Sequence, residues 1–226
     1  MIMDLNLIKI ILALFVLLLA SMQDIKTRKA SNYFWLFLLV LSVLYLFLNF
    51  NKTYLTYLLI SFGFIFPLSY LFYFFNFFGG ADAKALMVLS LLFPVYPNYF
   101  NPVYGDATVF TFTVLLNSLI ISLIYPLALF LFNLIRGDTD KLSKMFIGLK
   151  KPVKEVNEKD KILKESKLFS SIKNRSKLLK EKDYVWISPK IPFIASIFGG
   201  YLVAIFIGDL LYLVLAFFNI GYLMLM

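Results

Sequence analysis

Three aspartates are the residues of this 226-residue sequence whose type and spacing suit chemistry, because Asp24, Asp82 and Asp209 each lie at or inside a long apolar run. A charge at bilayer depth costs roughly 2.5–3.5 kcal/mol even on lenient insertion scales, so an acid kept there usually has a function. The chain has no Cys and no His, which excludes thiolate nucleophiles, Ser-His pairs and metalloprotease motifs. Catalysis by this chain must therefore use carboxylates, hydroxyls or lysines.

Two interpretations of Asp82 stay open at the level of sequence. Asp is a favoured helix N-cap residue, and its charge suits the N-terminal end of the helix dipole. The alternative is a catalytic carboxylate, which needs a second acid within reach. Asp24 closes the first apolar run and Asp82 opens the fourth, so the two are expected at one level. Asp209 is expected near the opposite face, about 24 Å along the last span at 1.5 Å per residue.

Two carboxylates at one depth on different helices suit aspartyl proteolysis. Close like charges cannot both ionise easily, so the pair holds one proton between its members. The ionised member takes a proton from water, while the protonated member hydrogen-bonds the scissile carbonyl. This chemistry needs no metal and no cofactor, and we expect neither.

The elements that must position these acids are membrane helices. The chain is 61% hydrophobic, and apolar runs of about 18 residues recur along its length. We predict an all-α integral membrane protein with six transmembrane helices. The first run has no basic segment before it and is expected to be a retained span, not a cleaved signal. The predicted spans are residues 5–22, 32–50, 54–78, 81–96, 108–135 and one within 191–226.

Two of these spans have unusual lengths. The fourth covers only about 18 Å from Asp82 to Phe93 at 1.5 Å per residue, before three prolines within ten residues end it. The last stretch, residues 191–226, would make one helix of roughly 54 Å, nearly twice the hydrocarbon thickness. Gly199–Gly200 and residues 219–221 are the candidate breaks within it.

Positive charge sets the predicted orientation. The loop after the first span carries Lys26, Arg28 and Lys29, and residues 136–190 carry 16 of the 22 basic residues. By the positive-inside rule these loops face the cytoplasm, and both termini then lie outside. The predicted domains are residues 1–135 with the aspartates, a cytoplasmic subdomain of residues 136–190, and the last span in residues 191–226.

The segment 136–190 is the small basic subdomain between the fifth and sixth spans, with 16 basic and 8 acidic residues. Its charge fits an ordinary cytoplasmic loop and also a site for anionic lipid or for a partner. Nucleic-acid binding is not expected, because no aromatic residues interleave the lysines. The sequence "DYVWIS" predicts a short strand. Partial helical spacing predicts a small helical subdomain through Ile162, Phe169, Ile172, Leu178 and Leu179.

Three stretches resemble one family of membrane peptidases. The sequence "GGADAKAL" resembles the G-x-G-D-x-K-L region of prepilin peptidases and archaeal preflagellin peptidases, which are aspartyl proteases. The sequence "SMQDIKTRKASN" resembles their first catalytic segment, in which an Asp ends the first helix. The sequence "VWISPKIPF" resembles the stretch before the last helix of archaeal members. The three stretches occur in the order and topology of that family.

The resemblance implies roles for particular residues. It implies that Asp24 and Asp82 are the catalytic pair. The further residues it implies, for substrate binding or for the turn of the motif, are Gly79, Gly80, Ala81 and Lys84. Ala81 departs from the motif, whose third position is usually Gly, and archaeal members tolerate a small residue there.

The resemblance also implies a substrate, which is the short basic leader of an archaellin or a type IV pilin-like precursor, cut at the cytoplasmic membrane face. Two alternatives stay open. A small proton-coupled transporter could also hold membrane acids, although its acids should lie near the midplane. A non-catalytic membrane scaffold of a pilus or archaellum assembly machine is the other.

Overall fold

The structure of the chain is a computed structural model, and its description covers residues 5–97, 109–156, 161–163, 183–189 and 192–224. A short 3-10 turn, Val153–Glu155, follows the first strand. In chain order the other elements are α1 (Leu5–Thr27), α2 (Asn32–Leu48), α3 (Lys52–Phe74), α4 (Gly80–Leu92), α5 (Phe110–Ser122), α6 (Ile124–Ile135), α7 (Leu142–Ile147), β1 (Leu149–Pro152), β2 (Lys161–Ile162), β3 (Tyr184–Ser188), α8 (Phe193–Phe206) and α9 (Leu210–Met224).

Several helices suit a membrane. Within the described residues, three stretches are long and apolar enough to cross one: α1, α3 and Phe110–Ile135, which comprises α5 and α6. The helices α2 and α8 are shorter but also apolar. The chain is therefore a mostly helical, multi-pass membrane protein. The division into six spans stays a prediction.

The chain forms two compact units. The first, Met1–Ile121 with Pro192–Met226, is here called the helical unit, and the second, Ser122–Ile191, the sheet unit. The domain limits predicted from sequence, after residues 135 and 190, stay predictions.

In the helical unit, α8 lies antiparallel to α1. Near the start of α1, the carbonyl of Ile10 accepts a hydrogen bond of 3.0 Å from the Tyr201 hydroxyl. At the end of α1, the carboxylate of Asp24 meets the backbone N–H of Ile194 in the first turn of α8. These two contacts fix the register of the helix pair along most of its length.

The helix α4 runs parallel to α8. The rings of Phe78 and Phe193, just before α4 and at the start of α8, stack with centroids 4.7 Å apart. At the other end, the Tyr96 hydroxyl donates a hydrogen bond of 2.5 Å to the carbonyl of Ala204. Both helices therefore start at the end of the unit where α1 finishes.

An aromatic cluster fills the opposite end of this core. Phe93, Phe110 and Tyr201 are fully buried, and their ring centroids lie 5.1–5.8 Å apart in tilted and edge-to-face pairs. Such pairs are worth about 0.5–1.5 kcal/mol each beyond the area they bury.

The helices α5 and α8 approach closely at Gly200. A Cβ on Gly200 would clash with the side chain of Ser118 and the carbonyl of Val114. Small residues at such crossings allow helix backbones in membranes to pack in direct contact. This contact places α5 against the C-terminal half of α8.

The last apolar stretch is broken between α8 and α9, at Ile207–Asp209. Gly208 takes a φ of +103°, a conformation open to glycine, and it ends α8. The side chain of Asn117 on α5 hydrogen-bonds the backbone groups at this break. Its Nδ2 donates to the Gly208 carbonyl at 2.8 Å, and its Oδ1 accepts from the Leu210 N–H at 3.0 Å. The candidate breaks at Gly199–Gly200 and residues 219–221 were wrong, since both lie inside helices.

The sheet unit corrects the expectation of an all-α protein. Its strands form an antiparallel sheet in the order β1-β3-β2, in which Leu149 and Ile162 both lie opposite Ile187. The central strand β3 buries side chains on both faces. Trp186 packs with Met145 on one face, and Val185 packs with Ile187 on the other. This is the strand predicted from "DYVWIS", and its alternate residues feed two small cores.

The predicted helical spacing in this segment is wrong at Ile162, which lies in β2 and is buried in the sheet core. Strand pairing with β3 gives its backbone hydrogen-bond partners that an isolated short helix would lack. The other four apolar positions of that pattern lie outside the described residues.

Candidate active site

Asp24 lies in the last turns of α1 and is 8% exposed. Its carboxylate accepts a hydrogen bond from the backbone N–H of Ile194, and the charge of Arg28 acts on it. The N–H groups in the first turn of a helix have no partner in their own helix. The start of α8 therefore supplies a free donor to the acid that closes α1.

Asp82 is the third residue of α4 and is likewise 8% exposed. Its Oδ2 accepts the backbone N–H of Gly79 at 2.8 Å, and Gly79 is the N-cap residue. Asp82 therefore makes half of a capping box, in which a side chain at the third position bonds back to the cap residue. The N-cap interpretation of Asp82 is therefore wrong in position, because Gly79 is the N-cap residue and Asp82 is the third residue of the helix.

The structure brings Asp24 and Asp82 to one end of the helical unit. The charge of Asp24 acts on the carboxylate of Asp82. Lys84, on the exposed side of α4, donates a hydrogen bond of 2.9 Å to Asn32 at the start of α2. The helices α2, α4 and α8 all begin at this end, here called the aspartate end, where α1 finishes. The catalytic role of the two acids stays a prediction.

The two glycines before Asp82 differ in what surrounds them. A Cβ on Gly79 would lie 3.1 Å from Oδ2 of Asp82, which is tighter than ordinary contact, whereas a Cβ on Gly80 would lie 3.5 Å from the Tyr73 ring. Neither glycine has a positive φ. The residue with a positive φ in this turn is Asn76, at 59°. Gly79 is thus needed for room beside the carboxylate, and the backbone turn itself is made by Asn76.

The remaining motif positions are Ala81 and Lys84. The hydrogen bond described above for the Asp82 carboxylate involves neither of them. Ala81 is half-buried against the core, and Lys84 is exposed. Lys84 links α4 to α2 through its hydrogen bond to Asn32. Its role in substrate binding or in the motif turn stays a prediction.

Asp209 lies at the far end of α8 from Asp24. Its Oδ1 accepts the backbone N–H groups of Leu211 and Tyr212 at 2.8 and 3.3 Å. It is 6% exposed and caps the start of α9. The structure does not bring it to the aspartate end.

Arg28 is the residue of this end that sequence reasoning missed. Its charge acts on Asp24, although from the sequence it was used only as one of the basic residues that set the orientation. The available signal was the spacing of four residues between Asp24 and Arg28 in the sequence. Arg28 itself lies just past the end of α1.

Asp24 and Asp82 are both largely buried, and the charge of one acts on the other. Two interacting carboxylates can divide the work of acid and base, which is the chemistry that an aspartyl peptidase requires.

The comparison with known families gives the same class. Residues 11–127 match the Type IV leader peptidase family, and residues 129–210 match the archaeal peptidase A24 C-terminus, type II. The chain belongs to the Type IV leader peptidase family and is an aspartic-type peptidase. The resemblance seen in the sequence is confirmed.

Curated relatives agree over most of the chain. The preflagellin peptidase of Methanocaldococcus jannaschii is 30% identical over 213 residues, covering 85% of this chain and 91% of the relative. The preflagellin peptidase of Methanococcus voltae is 33% identical over 221 residues, covering 85% and 92%. That of Methanococcus maripaludis is 27% identical over 223 residues, covering 85% and 92%.

Proposed function

We propose that this protein removes the short basic leader from archaellin or type IV pilin-like precursors, with Asp24 and Asp82 as its catalytic pair. The observation that carries the proposal is the placement of these two buried carboxylates at one end of the helical unit, where the charge of Asp24 acts on Asp82. The relatives named preflagellin peptidase support the choice of substrate. A transporter or scaffold has no comparable observation in its favour.

In the proposed reaction, the pair holds one proton. The ionised carboxylate takes a proton from water as the water oxygen attacks the scissile carbonyl carbon. The protonated carboxyl hydrogen-bonds the carbonyl oxygen, whose charge grows during attack. Collapse of the tetrahedral intermediate breaks the C–N bond, and the carboxyl that accepted the water's proton gives a proton to the leaving amine. The pair returns to its starting state.

The proposed topology has six spans, both termini outside and the aspartate end in the cytoplasm. The supporting observation is the cluster Lys26, Arg28 and Lys29 at this end, which the positive-inside rule assigns to the cytoplasm. A site at this interface reaches a peptide bond at the head of a substrate's membrane helix without bringing water into the bilayer core. A basic leader is also attracted to the anionic inner leaflet.

The absence of native cysteine makes this topology directly testable. Single cysteines replacing the exposed residues Lys29 and Lys52, which lie at opposite ends of α2, form a matched pair. We expect a membrane-impermeant maleimide added to whole cells to label Lys52→Cys and spare Lys29→Cys. Labelling of Lys29→Cys alone would reverse the orientation.

The activity is tested with the purified chain in detergent and a leader-bearing archaellin precursor. We expect the wild type to release the leader and Asp24→Asn to release none at the same protein concentration. Asn keeps the shape of the side chain and removes its acid, so circular dichroism should show equal helix content. Normal cleavage by Asp24→Asn would remove the pair from the mechanism.

We further propose that residues 136–190 bind anionic lipid, because this segment carries 16 basic and 8 acidic residues. Thermal stability of the full chain should be higher in liposomes containing phosphatidylglycerol than in pure phosphatidylcholine, and the difference should shrink with added salt. A lipid effect that ignores salt would count against electrostatic binding.

A further inference from the structure

Arg28 has an uncommon backbone conformation beside the candidate catalytic pair. It follows the end of α1 with a φ of 56°, in the left-handed region that non-glycine residues seldom occupy. Such positions persist where the surrounding structure determines them, and they cluster at functional sites. The conformation turns the chain out of α1 directly after the turn that carries Asp24.

Hydrogen bonds hold this turn in place. The Arg28 N–H donates to the carbonyl of Asp24 at 2.8 Å. The Thr27 hydroxyl lies 2.9 Å from the carbonyls of both Gln23 and Lys29, and the Gln23 side chain accepts the Ser31 N–H at 2.9 Å. The position of Arg28 is therefore built by its neighbours on both sides.

The Arg28 guanidinium lies close enough to Asp24 for its charge to act there, and within the described residues it holds a buried nitrogen without a partner. Its Nη1 is buried and has no hydrogen-bond partner among the described residues. A guanidinium stays protonated and cannot accept, so this donor needs an acceptor. Because Arg28 as a whole is only partly buried, a rotation of its side chain would bring Nη1 to an acceptor that arrives from outside. A buried donor without a partner costs free energy that such an acceptor would recover.

We propose that Arg28 is a substrate-binding residue, whose buried Nη1 donates a hydrogen bond to a main-chain carbonyl oxygen of the peptide cut by the aspartate pair. The inference rests on the proposed function and adds a residue to it. A main-chain carbonyl is the acceptor that every peptide substrate presents. It is also neutral, so it adds no further negative charge next to Asp24 and Asp82. The contact would fix the peptide's register relative to the two carboxylates.

This assignment gives Arg28 a role in substrate binding that the neighbouring cation Lys26 does not share. Lys26 is exposed and lies on the same turn of chain. A lysine at position 28 would keep the charge and lose the planar fork that lets one side chain face Asp24 and a second acceptor together. Arg28→Ala removes both the charge and the donor, and Lys26→Ala serves as the matched control.

The test uses the full chain in a non-ionic detergent free of phospholipid, with a leader-bearing archaellin precursor as substrate. We expect Arg28→Ala to raise KM at least tenfold while kcat changes less than threefold. Arg28→Lys should fall between Arg28→Ala and the wild type, and Lys26→Ala should match the wild type. KM equals the dissociation constant only when chemistry is slow. Direct binding is therefore measured in the inactive Asp82→Asn background, where Arg28→Ala should weaken binding at least tenfold.

Several outcomes would overturn the inference. Unchanged KM and unchanged affinity in Arg28→Ala would mean that the guanidinium does not touch the peptide. A fall in kcat at constant KM would mean that Arg28 acts only through Asp24. An effect of Arg28→Ala confined to samples with added anionic phospholipid would assign the free donor to a lipid phosphate. If Arg28→Ala loses its thermal transition, the KM and affinity of Arg28→Lys decide instead, and wild-type values there overturn the inference. None of these results changes the comparison of wild type with Asp24→Asn, on which the proposed function depends.

Discussion

Asp82 and Asp209 stand at the starts of two helices of the same unit and are almost equally buried, at 8% and 6% exposed. Asp209 precedes α9, and its Oδ1 accepts two N–H groups of that helix, from Leu211 and Tyr212. Asp82 lies inside the first turn of α4, and its Oδ2 bonds back to Gly79, the residue before the helix. The charge of Asp24 also acts on Asp82.

The difference shows how to separate a capping carboxylate from one that can do chemistry. Asp209 serves its helix as an acceptor, and a neutral amide oxygen accepts as well, since Asn is as good an N-cap as Asp. The proposed work of Asp82 is to exchange a proton with its partner, and an amide cannot do that. Burial is the same at both sites, so burial alone does not distinguish them.

Replacement by Asn should therefore lower activity strongly at Asp82 and little at Asp209. This difference is the largest effect that we expect. Asp82→Asn keeps the acceptor for Gly79 and loses the acid, so kcat/KM should fall by about 10³-fold or more. Asp209→Asn keeps both cap hydrogen bonds and should retain most activity. The measurement is the initial rate of leader release in detergent at matched protein concentration. A comparable loss in Asp209→Asn would place that residue in the mechanism and contradict the comparison.

Substitutions at the two glycines before Asp82 test whether activity depends on the position of its carboxylate, with a smaller expected effect on kcat. A Cβ at Gly79 would press on the Asp82 carboxylate from 3.1 Å, whereas one at Gly80 would meet the Tyr73 ring at an ordinary 3.5 Å. Small displacements of catalytic groups lower rates steeply, so Gly79→Ala should reduce kcat about tenfold. Gly80→Ala is its matched control and should stay within about threefold. Equal rates in the two variants would show that the position of the carboxylate is not set at Gly79.

At the start of α9 we expect an effect on stability instead of activity. The side chain of Asn117 hydrogen-bonds the backbone at the break before this helix. Asn117→Ala would leave the Gly208 carbonyl and the Leu210 N–H without their side-chain partner. The unfolding free energy should fall by about 2 kcal/mol, because buried backbone groups lose hydrogen bonds. The thermal unfolding midpoint in detergent measures the loss, with Asp24→Asn as a control of unchanged stability. A midpoint equal to the wild type would show that water replaces Asn117 fully.

Particular elements show what the sequence could and could not predict. The level shared by Asp24 and Asp82 followed from local patterns: where each apolar run starts or stops. The strand at Tyr184–Ser188 was also predicted, because its apolar residues are contiguous and bounded by polar ones. The number of membrane spans remains a prediction, since length and composition identify only the longer helices.

Features that depend on distant partners were missed. The break at Gly208 depends on Asn117, which lies 91 residues earlier in the chain. The candidate breaks chosen from sequence were other glycines, and Gly200 serves instead to let α8 pack against Ser118. The free donor on Arg28 likewise depends on burial, which no local pattern reports. Tertiary contact thus decided each of these positions.

Asp140 in the sheet unit is a third aspartate near the start of a helix, α7, and it is more exposed than Asp82 or Asp209. It tests whether such an aspartate acts as a hydrogen-bond acceptor or through its charge. Partial burial by itself raises the pKa of Asp140, but hydrogen bonds from the Lys144 ammonium, the Lys141 N–H and the Trp186 indole outweigh burial and lower that pKa below its ordinary value. The Lys144 contact is 2.8 Å long and spans one helical turn.

Because the pKa of Asp140 is lower in the folded than in the unfolded chain, its ionised form stabilises the fold above the unfolded pKa, near 3.9. That contribution is lost as pH falls through the lowered folded-state pKa. We expect Asp140→Asn to reduce stability at pH 7 by less than about 1 kcal/mol, since solvent screens a partly exposed ion pair. Thermal unfolding in detergent between pH 7 and pH 3 should show the wild type and Asp140→Asn converging at the acid end. The gap at pH 7 should also narrow in high salt. A difference that persists unchanged in acid would contradict a stabilisation by charge, because Asn keeps an acceptor for the Lys141 N–H, as it does at Asp209, and lacks only the charge.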